Sequence, residues 1–310
     1  MHYLLLIVGF ILLIKGADFF VEGSSSIAKM LKIPSMIVGL TIVAMGTSAP
    51  EAAVSISATM SGSNDMAVGN IVGSCILNLM LIAGICAVVK PISVDKSILK
   101  SDFPVSILAA VLLLIVCIGN NLIVTRIEGI IIFLLFAAYI VFTVVRALRY
   151  RKNAVNTDEI RTLSLPKTII FTILGAAAIV CGGQMTVESA KSIASSLGVS
   201  EHLIGLTVVA LGTSLPELVT SIVASRKGES DMALGNVIGS NIFNILFILG
   251  MTAAIKPVKV DIFSVYDSAV LVGMSIMVFI FAFTRKRLGR LEGSLMLLTY
   301  SVYTGYIIVR

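Results

Sequence analysis

Two glutamates, Glu51 and Glu217, lie in long apolar stretches where a charged side chain is costly. A carboxylate at the depth of a membrane costs roughly 2.5–3.5 kcal/mol on insertion scales and marks a functional site unless a base pairs with it. No Lys or Arg lies within one helical turn of either glutamate, so an ion pair would need Lys15 or a more distant base. The pattern predicts a cation site, with a structural ion pair as the alternative.

Hydroxyl side chains accompany both glutamates at helical spacing. Hydroxyl residues precede Glu51 by four and three positions, and the same spacing recurs before Glu217. Side chains three and four residues apart share one face of a helix. The predicted ligands beside the carboxylates are therefore Thr47, Ser48, Thr213 and Ser214.

A proline directly precedes each glutamate, at Pro50 and Pro216. Proline removes one backbone hydrogen bond from a helix and clashes with the carbonyl four residues earlier, which frees carbonyls near Gly46 and Gly212. In a membrane, freed backbone groups are tolerated only where protein, water or a ligand satisfies them. A bare cation would do so, and a kink without a ligand is the alternative.

Serine and asparagine recur four residues apart further along, as Ser74 and Asn78 and as Ser240 and Asn244. Such groups also form hydrogen bonds between membrane helices, and that alternative stays open. If they face the glutamates, every available donor is an oxygen atom, which suits a hard cation. Calcium accepts about six to eight oxygen ligands, whereas magnesium requires an octahedron. Sodium is close to calcium in size, so the two ions can compete for one site.

The sequence contains a repeat at an offset of 166 residues. Gly39 to Glu51 reads GLTIVAMGTSAPE, and Gly205 to Glu217 reads GLTVVALGTSLPE, with ten of thirteen positions identical. Asp65 to Asn78 (DMAVGNIVGSCILN) matches Asp231 to Asn244 (DMALGNVIGSNIFN) at nine of fourteen. Repeats at a fixed period indicate copies of one structural unit.

The composition indicates that nearly the whole chain lies in a membrane. Hydrophobic residues make up 57% and charged residues 13% of 310 residues, and the mean hydropathy is +1.05. Since a spanning helix needs about 20 apolar residues, we predict an all-α protein with ten transmembrane helices. The predicted spans are 3–28, 34–60, 65–89, 103–118, 127–146, 167–196, 203–225, 231–255, 264–284 and 291–309.

Five spans in each copy make the two repeats inverted, because an odd number brings the second copy into the membrane from the other side. We predict a first five-helix repeat over 1–148, a linker over 149–166 and an inverted second repeat over 167–310, together forming one membrane domain. With both termini extracellular, 17 of the 23 Lys and Arg residues fall on the cytoplasmic side, as the positive-inside rule requires. The linker is then cytoplasmic and the protein a multi-pass cell-membrane protein.

Other classes of site find little support in the sequence. Four single cysteines show no paired spacing for disulfides or thiolate metal sites and are predicted to be packing residues: Cys75, Cys86, Cys117 and Cys181. The net charge of +6 is explained by basic loops rather than by nucleic-acid binding. We expect no cofactor and no obligatory protein partner; the partners are the transported ions and the lipid bilayer.

These motifs resemble the sodium/calcium exchanger family of cation/calcium antiporters, whose two signatures are the GTS-x-PE and G-N-x-x-G-S-x-x-x-N/D stretches. The resemblance implies inverted halves and alternating access in which the first and sixth helices slide past the other eight. It also implies that Glu51 and Glu217 are the central ligands. The assisting ligands would be Thr47, Thr213, Ser48, Ser214, Ser74, Ser240, Asn78, Asn244 and the carbonyls of Ala44 and Ala210.

The sequence departs from many relatives at Asn244, where potassium-dependent exchangers carry Asp. One negative charge is missing, so we expect no K+ co-transport. Two carboxylates balance one Ca2+, whereas three Na+ leave one excess positive charge, so exchange at that ratio is expected to be electrogenic. The linker of fewer than twenty residues also argues against a large regulatory insert.

Na+-driven Ca2+ antiport is the leading interpretation. The alternative is H+/Ca2+ or other cation antiport on the same scaffold, since protons are expected to compete for buried carboxylates. A cation channel with acidic side chains fits less well with helix breaks at a repeat axis. An intramembrane enzyme would need two carboxylates in different environments, whereas the repeat offers nearly the same environment twice. We therefore predict a transporter, not an enzyme.

Overall fold

The computed structural model describes residues 2–153, 162–198 and 210–309, except for the side chains of residues 65, 153 and 210. The regular secondary structure of the described residues is helical apart from four two-residue strands, β1 Ile92–Ser93, β2 Ile123–Val124, β3 Val258–Lys259 and β4 Arg287–Leu288. The first repeat contains α1 His2–Leu31, α2 Ser35–Thr47, α3 Ala49–Met60, α4 over 64–89, α5 Ile98–Ile118 and α6 Arg126–Asn153. The second contains α7 Leu165–Ser196, α8 Ala210–Thr213, α9 Leu215–Arg226, α10 Ser230–Ile255, α11 Ile262–Arg285 and α12 Arg290–Val309.

Apolar helices of spanning length make up most of the described residues. Seven of them are long and apolar enough to cross a membrane, or eight if α2 and α3 form one bent span. Each of the ten predicted spans coincides with a helix or a pair of helices. The first part of the seventh, residues 203–209, lies outside the described residues.

The predicted boundaries differ from the structure mainly at the edges of the polar segments. Helix α5 begins at Ile98 rather than at residue 103, because Ser101 and Asp102 find partners within the protein. Helix α6 continues to Asn153, so the first five residues of the predicted linker are helical. Residues 154–161 of that linker lie outside the described residues.

Two strand pairs place the loops on opposite faces of the molecule. Strand β1, between α4 and α5, pairs with β4, between α11 and α12. Strand β2, between α5 and α6, pairs with β3, between α10 and α11. One spanning helix, α5 or α11, separates the two pairs, so they lie on opposite faces. The offset of 166 residues relates β1 to β3, so equivalent loops face opposite sides, as inverted repeats require.

The helices at the centre are α4 and α10. In each of them 78% of an apolar 18-residue stretch is buried, compared with 22% in α6 and in α7. Cys75 on α4 and Asn241 on α10 contact each other through an Asn241 Nδ2 bond to the Cys75 carbonyl at 3.1 Å. The two positions are equivalent under the offset of 166. A contact between equivalent positions can only lie at the axis that relates the repeats. Three cysteines are buried as predicted, but Cys181 is exposed, so its assignment as a packing residue was wrong.

Helices α1 and α7 pack against each other almost backbone to backbone. Their contact runs along a glycine seam, which consists of Gly9, Gly16 and Gly23 on α1 and Gly175 and Gly182 on α7. A Cβ atom on Gly175 would lie 2.6 Å from the backbone nitrogen of Phe20, and one on Gly16 would lie 2.9 Å from that of Ile179. Real Cβ atoms do not approach that closely, so the seam requires glycine.

A charged contact joins α1 to the turn between α9 and α10. Lys227 Nζ donates to the Asp18 carbonyl at 2.8 Å and lies 3.4 Å from Asp18 Oδ1 and 3.8 Å from Glu22 Oε2. All three side chains are between about one third and one half exposed. The position equivalent to Lys227 in the first repeat is Ser61, so this contact has no charged counterpart there.

Candidate cation site

Both proline motifs break their helices one residue after the threonine. Ser48 separates α2 from α3 with φ −84° and ψ 8°, and the two helices are bent by 47°. Ser214 has nearly the same geometry between α8 and α9, with φ −92° and ψ 7°. Each glutamate therefore lies in the first turn of a new helix. The positive end of the helix dipole favours a carboxylate at that position.

The two repeats exchange hydrogen bonds at their glutamates. Ser48 Oγ donates to Glu217 Oε1 at 2.7 Å, and Ser214 Oγ donates to Glu51 Oε1 at 3.0 Å. Ser214 Oγ also lies 3.3 Å from Ser74 Oγ. Both carboxylates are buried, with exposed fractions of 1% for Glu51 and 0% for Glu217. The breaks thus bring the two predicted central residues together at the repeat axis.

Neither carboxylate has a basic partner among the described residues. The four ion pairs there involve Arg146, Lys227 and Arg285 but not Glu51 or Glu217, and Lys15 is exposed. A buried charge without a compensating base is unstable. The alternative of a structural ion pair therefore has no support in the described part of the chain.

Several buried oxygen atoms of the predicted ligand residues lack a hydrogen-bond donor in the described chain. They belong to both repeats and comprise Glu51 Oε2, Glu217 Oε2, Asn78 Oδ1, Asn244 Oδ1 and Ser240 Oγ. Buried polar groups are nearly always bonded in native proteins. Carboxylate, amide and hydroxyl oxygens are the ligands of hard cations, so this donor set fits a dehydrated Ca2+ or Na+.

Asn78 and Asn244 lie in widened helical turns. The segments Leu77–Ile82 of α4 and Phe243–Leu249 of α10 are π-helical, and both asparagines are fully buried. Such turns are found frequently at functional sites. They recur at equivalent positions in the two repeats, so both halves of the protein share this local structure.

The threonines are held by asparagines that the sequence analysis did not assign. Thr47 Oγ1 lies 3.2 Å from Asn236 Oδ1, and Thr213 Oγ1 lies 3.5 Å from Asn70 Oδ1. Asn236 and Asn70 also donate to Ser221 and Ser55, respectively, at 2.9 Å. The signal was present in the sequence, because Asn70 and Asn236 are equivalent within the repeated G-N-x-x-G-S motif. Both asparagines position the threonines from the neighbouring repeat.

The two carbonyls predicted as ligands belong to Ala44 and Ala210. The Ala44 carbonyl accepts a bond from Ser48 N at 3.0 Å and a longer one from Thr47 Oγ1 at 3.4 Å. Thr47 Oγ1 also lies 3.1 Å from the Val43 carbonyl. Ala210 is the first residue of α8, and its side chain lies outside the described part of the structure. Pro50 has no N–H, so it cannot bond the Gly46 carbonyl.

Comparison with known proteins identifies the family to which this chain is similar. The model of the sodium/calcium exchanger protein family matches residues 1–145 and 167–309, which is nearly all of both repeats. The chain belongs to the sodium/calcium exchanger family. It is 41% identical over 310 residues to a putative antiporter, CaxA, of Alkalimonas amylolytica, covering 96% of this chain and 95% of that protein. It is also 33% identical to the sodium/calcium exchanger MaX1 of Methanosarcina acetivorans, covering 97% of each.

Solved structures of a family member share the fold over nearly the whole length. A structure of the sodium-calcium exchanger NCX_Mj soaked with zero Na+ and Ca2+ has a TM-score of 0.85 at 32% identity and covers 99% of this chain and 98% of that one. Another, soaked with 2.5 mM Na+ and 1 mM Sr2+, gives 0.86 at 32% identity, with 98% and 97% covered. The predicted fold class, a polytopic all-α membrane protein, is confirmed by these matches.

Proposed function

We propose that this exchanger-family protein is a secondary active antiporter that exchanges Na+ for Ca2+ by alternating access. The observation that carries the proposal is the pair of buried carboxylates, each bonded by a serine of the opposite repeat and without a base among the described residues. Family membership and the names of its relatives support this reading.

The proposed ligands occupy equivalent positions in the two repeats. Glu51 and Glu217 would contribute the charge, and uncharged oxygens complete the shell: Ser48, Ser214, Ser74, Ser240, Thr47, Thr213, Asn78, Asn244 and the carbonyls of Ala44 and Ala210. One Ca2+ neutralises the two carboxylates, whereas three Na+ leave the site with one positive charge. Exchange at that ratio moves net charge, so membrane voltage would act on it.

The orientation in the membrane is also a proposal. The face that carries β1 and β4 includes Lys90, Lys96, Lys100 and the basic run from Arg285 to Arg290. The positive-inside rule then places this face in the cytoplasm of a cell membrane. The two termini would be extracellular, and the segment between the repeats would be cytoplasmic.

Flux measurements in proteoliposomes test the exchange. Vesicles loaded with Na+ and diluted into Na+-free buffer should accumulate 45Ca2+, whereas a pH gradient of either sign without Na+ should not drive uptake. Uptake driven by the pH gradient alone would favour the H+/Ca2+ antiporter instead. Ca2+ entry without any counter-ion inside would identify a channel and contradict the proposal.

Potassium should not change the exchange, because both repeats carry Asn at the equivalent positions Asn78 and Asn244. The site then has two carboxylates and no third negative charge to balance a further cation. The expected result is equal 45Ca2+ uptake when K+ replaces choline on both sides, with a protonophore and strong pH buffer present in both samples to dissipate the voltage. A requirement for K+ would show that another acidic group contributes to the site.

Removing either cross-repeat serine should weaken Ca2+ binding by a similar factor. Ser48→Ala and Ser214→Ala each remove one ligand oxygen and one donor to a carboxylate. Hydrogen bonds to charged groups contribute roughly 1.5–3 kcal/mol, which corresponds to about 10- to 100-fold in affinity. The Ca2+ dependence of thermal unfolding in detergent measures this change. Exposed Ser61→Ala is the matched control, and unchanged affinity in both site variants would remove the serines from the proposed shell.

A further inference from the structure

A basic cavity of about 540 Å3 lies between the ends of α5 and α6, away from the cation site. Three of its seven lining residues are Lys100, Arg146 and Arg149. The hydroxyl residues Ser97 and Ser101 also line it. The cavity lies on the basic face, next to the loop that carries β1. It therefore offers several hydrogen-bond donors and positive charge to a single ligand.

The charge of this cavity is only partly neutralised by the protein. Arg146 forms a two-pronged bond to buried Asp102, with both N–O distances 2.9 Å. Its Nε atom is buried without an acceptor in the described residues. Lys100 and Arg149 are exposed and take part in none of the ion pairs found there. Asp95 and Asp231 line a neighbouring cavity but not this one, so the charged residues that line the basic cavity are all positive.

An apolar groove continues from the basic cavity into the membrane. The groove, with a volume of about 360 Å3, is formed mainly by α5 and α6, and Phe142 lines both spaces. The small side chains of Ala109 and Ala138 leave space for the groove, and the larger, exposed side chains of Leu108 and Leu135 form part of its walls. From Ser101 to Leu112, eleven residues along α5 extend about 16 Å at 1.5 Å per residue. That length matches one leaflet, half of a hydrocarbon core about 30 Å thick.

We infer that the α5–α6 crevice binds one anionic phospholipid, with its phosphate on Lys100, Arg146 and Arg149 and an acyl chain in the apolar groove. A basic pocket between helices at this depth suits an anionic headgroup. A free phosphate would fill only the basic part and leave the groove without a ligand. A second copy of this chain docked by the same face would bring two positive patches together, which is unfavourable.

The site belongs to the first repeat alone. The positions equivalent to Ser97 and Lys100 in the second repeat are Phe263 and Tyr266, so the serine hydroxyl and the lysine charge are missing there. One lipid per chain is therefore expected. The floor of the groove includes Leu246, two residues from Asn244 in the same π-helical segment. A bound acyl chain would contact the turn that carries a proposed ligand of the cation site.

Native mass spectrometry of the full chain in detergent tests the inference. After delipidation, phosphatidylglycerol should rebind with a stoichiometry of one and raise the thermal midpoint. Phosphatidylcholine with the same chains and inorganic phosphate at equal concentration should not. The double variant Lys100→Gln/Arg149→Gln should bind phosphatidylglycerol roughly 30-fold more weakly, given the usual contribution of each basic residue near an anionic lipid surface.

Two further variants keep the test decisive. Lys256→Gln/Lys259→Gln removes two exposed charges on the opposite face and should leave lipid binding unchanged. Ala138→Phe fills the groove while retaining every base, and it should reduce retention of phosphatidylglycerol at least tenfold. Equal binding by all variants, equal binding of phosphatidylcholine, an equal shift from phosphate alone, or a dimer held through this face would each overturn the inference.

Discussion

Glu51→Gln and Glu217→Gln are each expected to abolish Na+-driven Ca2+ uptake. Each substitution keeps the size of the side chain and removes half of the charge that neutralises Ca2+. A buried charge left without its counter-charge costs roughly 3–5 kcal/mol, and about 1.4 kcal/mol is a factor of ten in affinity. We therefore expect Ca2+ affinity to fall at least about 100-fold. The measurements are 45Ca2+ flux in proteoliposomes and the Ca2+-dependent shift of the thermal midpoint.

Both variants should remain folded, since neither glutamate holds a basic residue in place within the described chain. A single symmetrical peak in size-exclusion chromatography would verify this. Glu188→Gln is the matched control, because Glu188 is exposed on α7. Near-normal Ca2+ uptake by either Glu51→Gln or Glu217→Gln would refute the assignment of the central ligands.

Gly175→Val is expected to have the second largest effect, through the glycine seam between α1 and α7. The new Cβ would lie 2.6 Å from the Phe20 nitrogen and 2.8 Å from its Cα. These are backbone atoms, so the helices must separate. Overpacking of this kind typically costs about 1–3 kcal/mol of stability. Because valine also adds a branched side chain, we expect a cost near the upper end of this range. The thermal midpoint should fall, and Ca2+ exchange should fall with it.

Gly305→Val provides the control for the same substitution in a membrane helix. Gly305 lies on the exposed side of α12, and a Cβ there meets no described atom within 4 Å. It should leave the thermal midpoint and the flux close to those of the unmodified protein. If Gly175→Val unfolded at the same temperature as this control, the close approach of α1 and α7 would be wrong.

Much of the architecture could be predicted from the sequence because the repeat carries several independent constraints. Pro50 and Pro216 located the helix breaks, since proline lacks the donor that a continuous helix needs. The spacing of Ser48 and Glu51 predicts that a serine and a glutamate of the same repeat share one helix face. It could not reveal that each serine bonds the glutamate of the opposite repeat, because contacts between repeats depend on how the two copies pack.

The features that were missed arise from packing rather than from local pattern. The π-helical turns at Asn78 and Asn244 cannot be detected from hydrophobic periodicity. Asn70 and Asn236 were visible as a repeated pair, but their bonds to the threonines cross from one repeat to the other. Helix α6 extends past the predicted boundary, since charged residues are tolerated where a helix leaves the apolar core.

In the proposed alternating-access cycle, in which α1 slides past the other helices, the contact of Lys227 with Asp18 and Glu22 would make the two sides of the membrane unequal. Partly exposed ion pairs contribute about 0.2–1 kcal/mol, so this one favours the arrangement that retains it by a factor of about 1.4 to 5. A binding-competent state with a smaller population shows a proportionally weaker apparent affinity. Half-saturating Ca2+ concentrations measured from opposite faces of the bilayer should therefore differ by a few-fold.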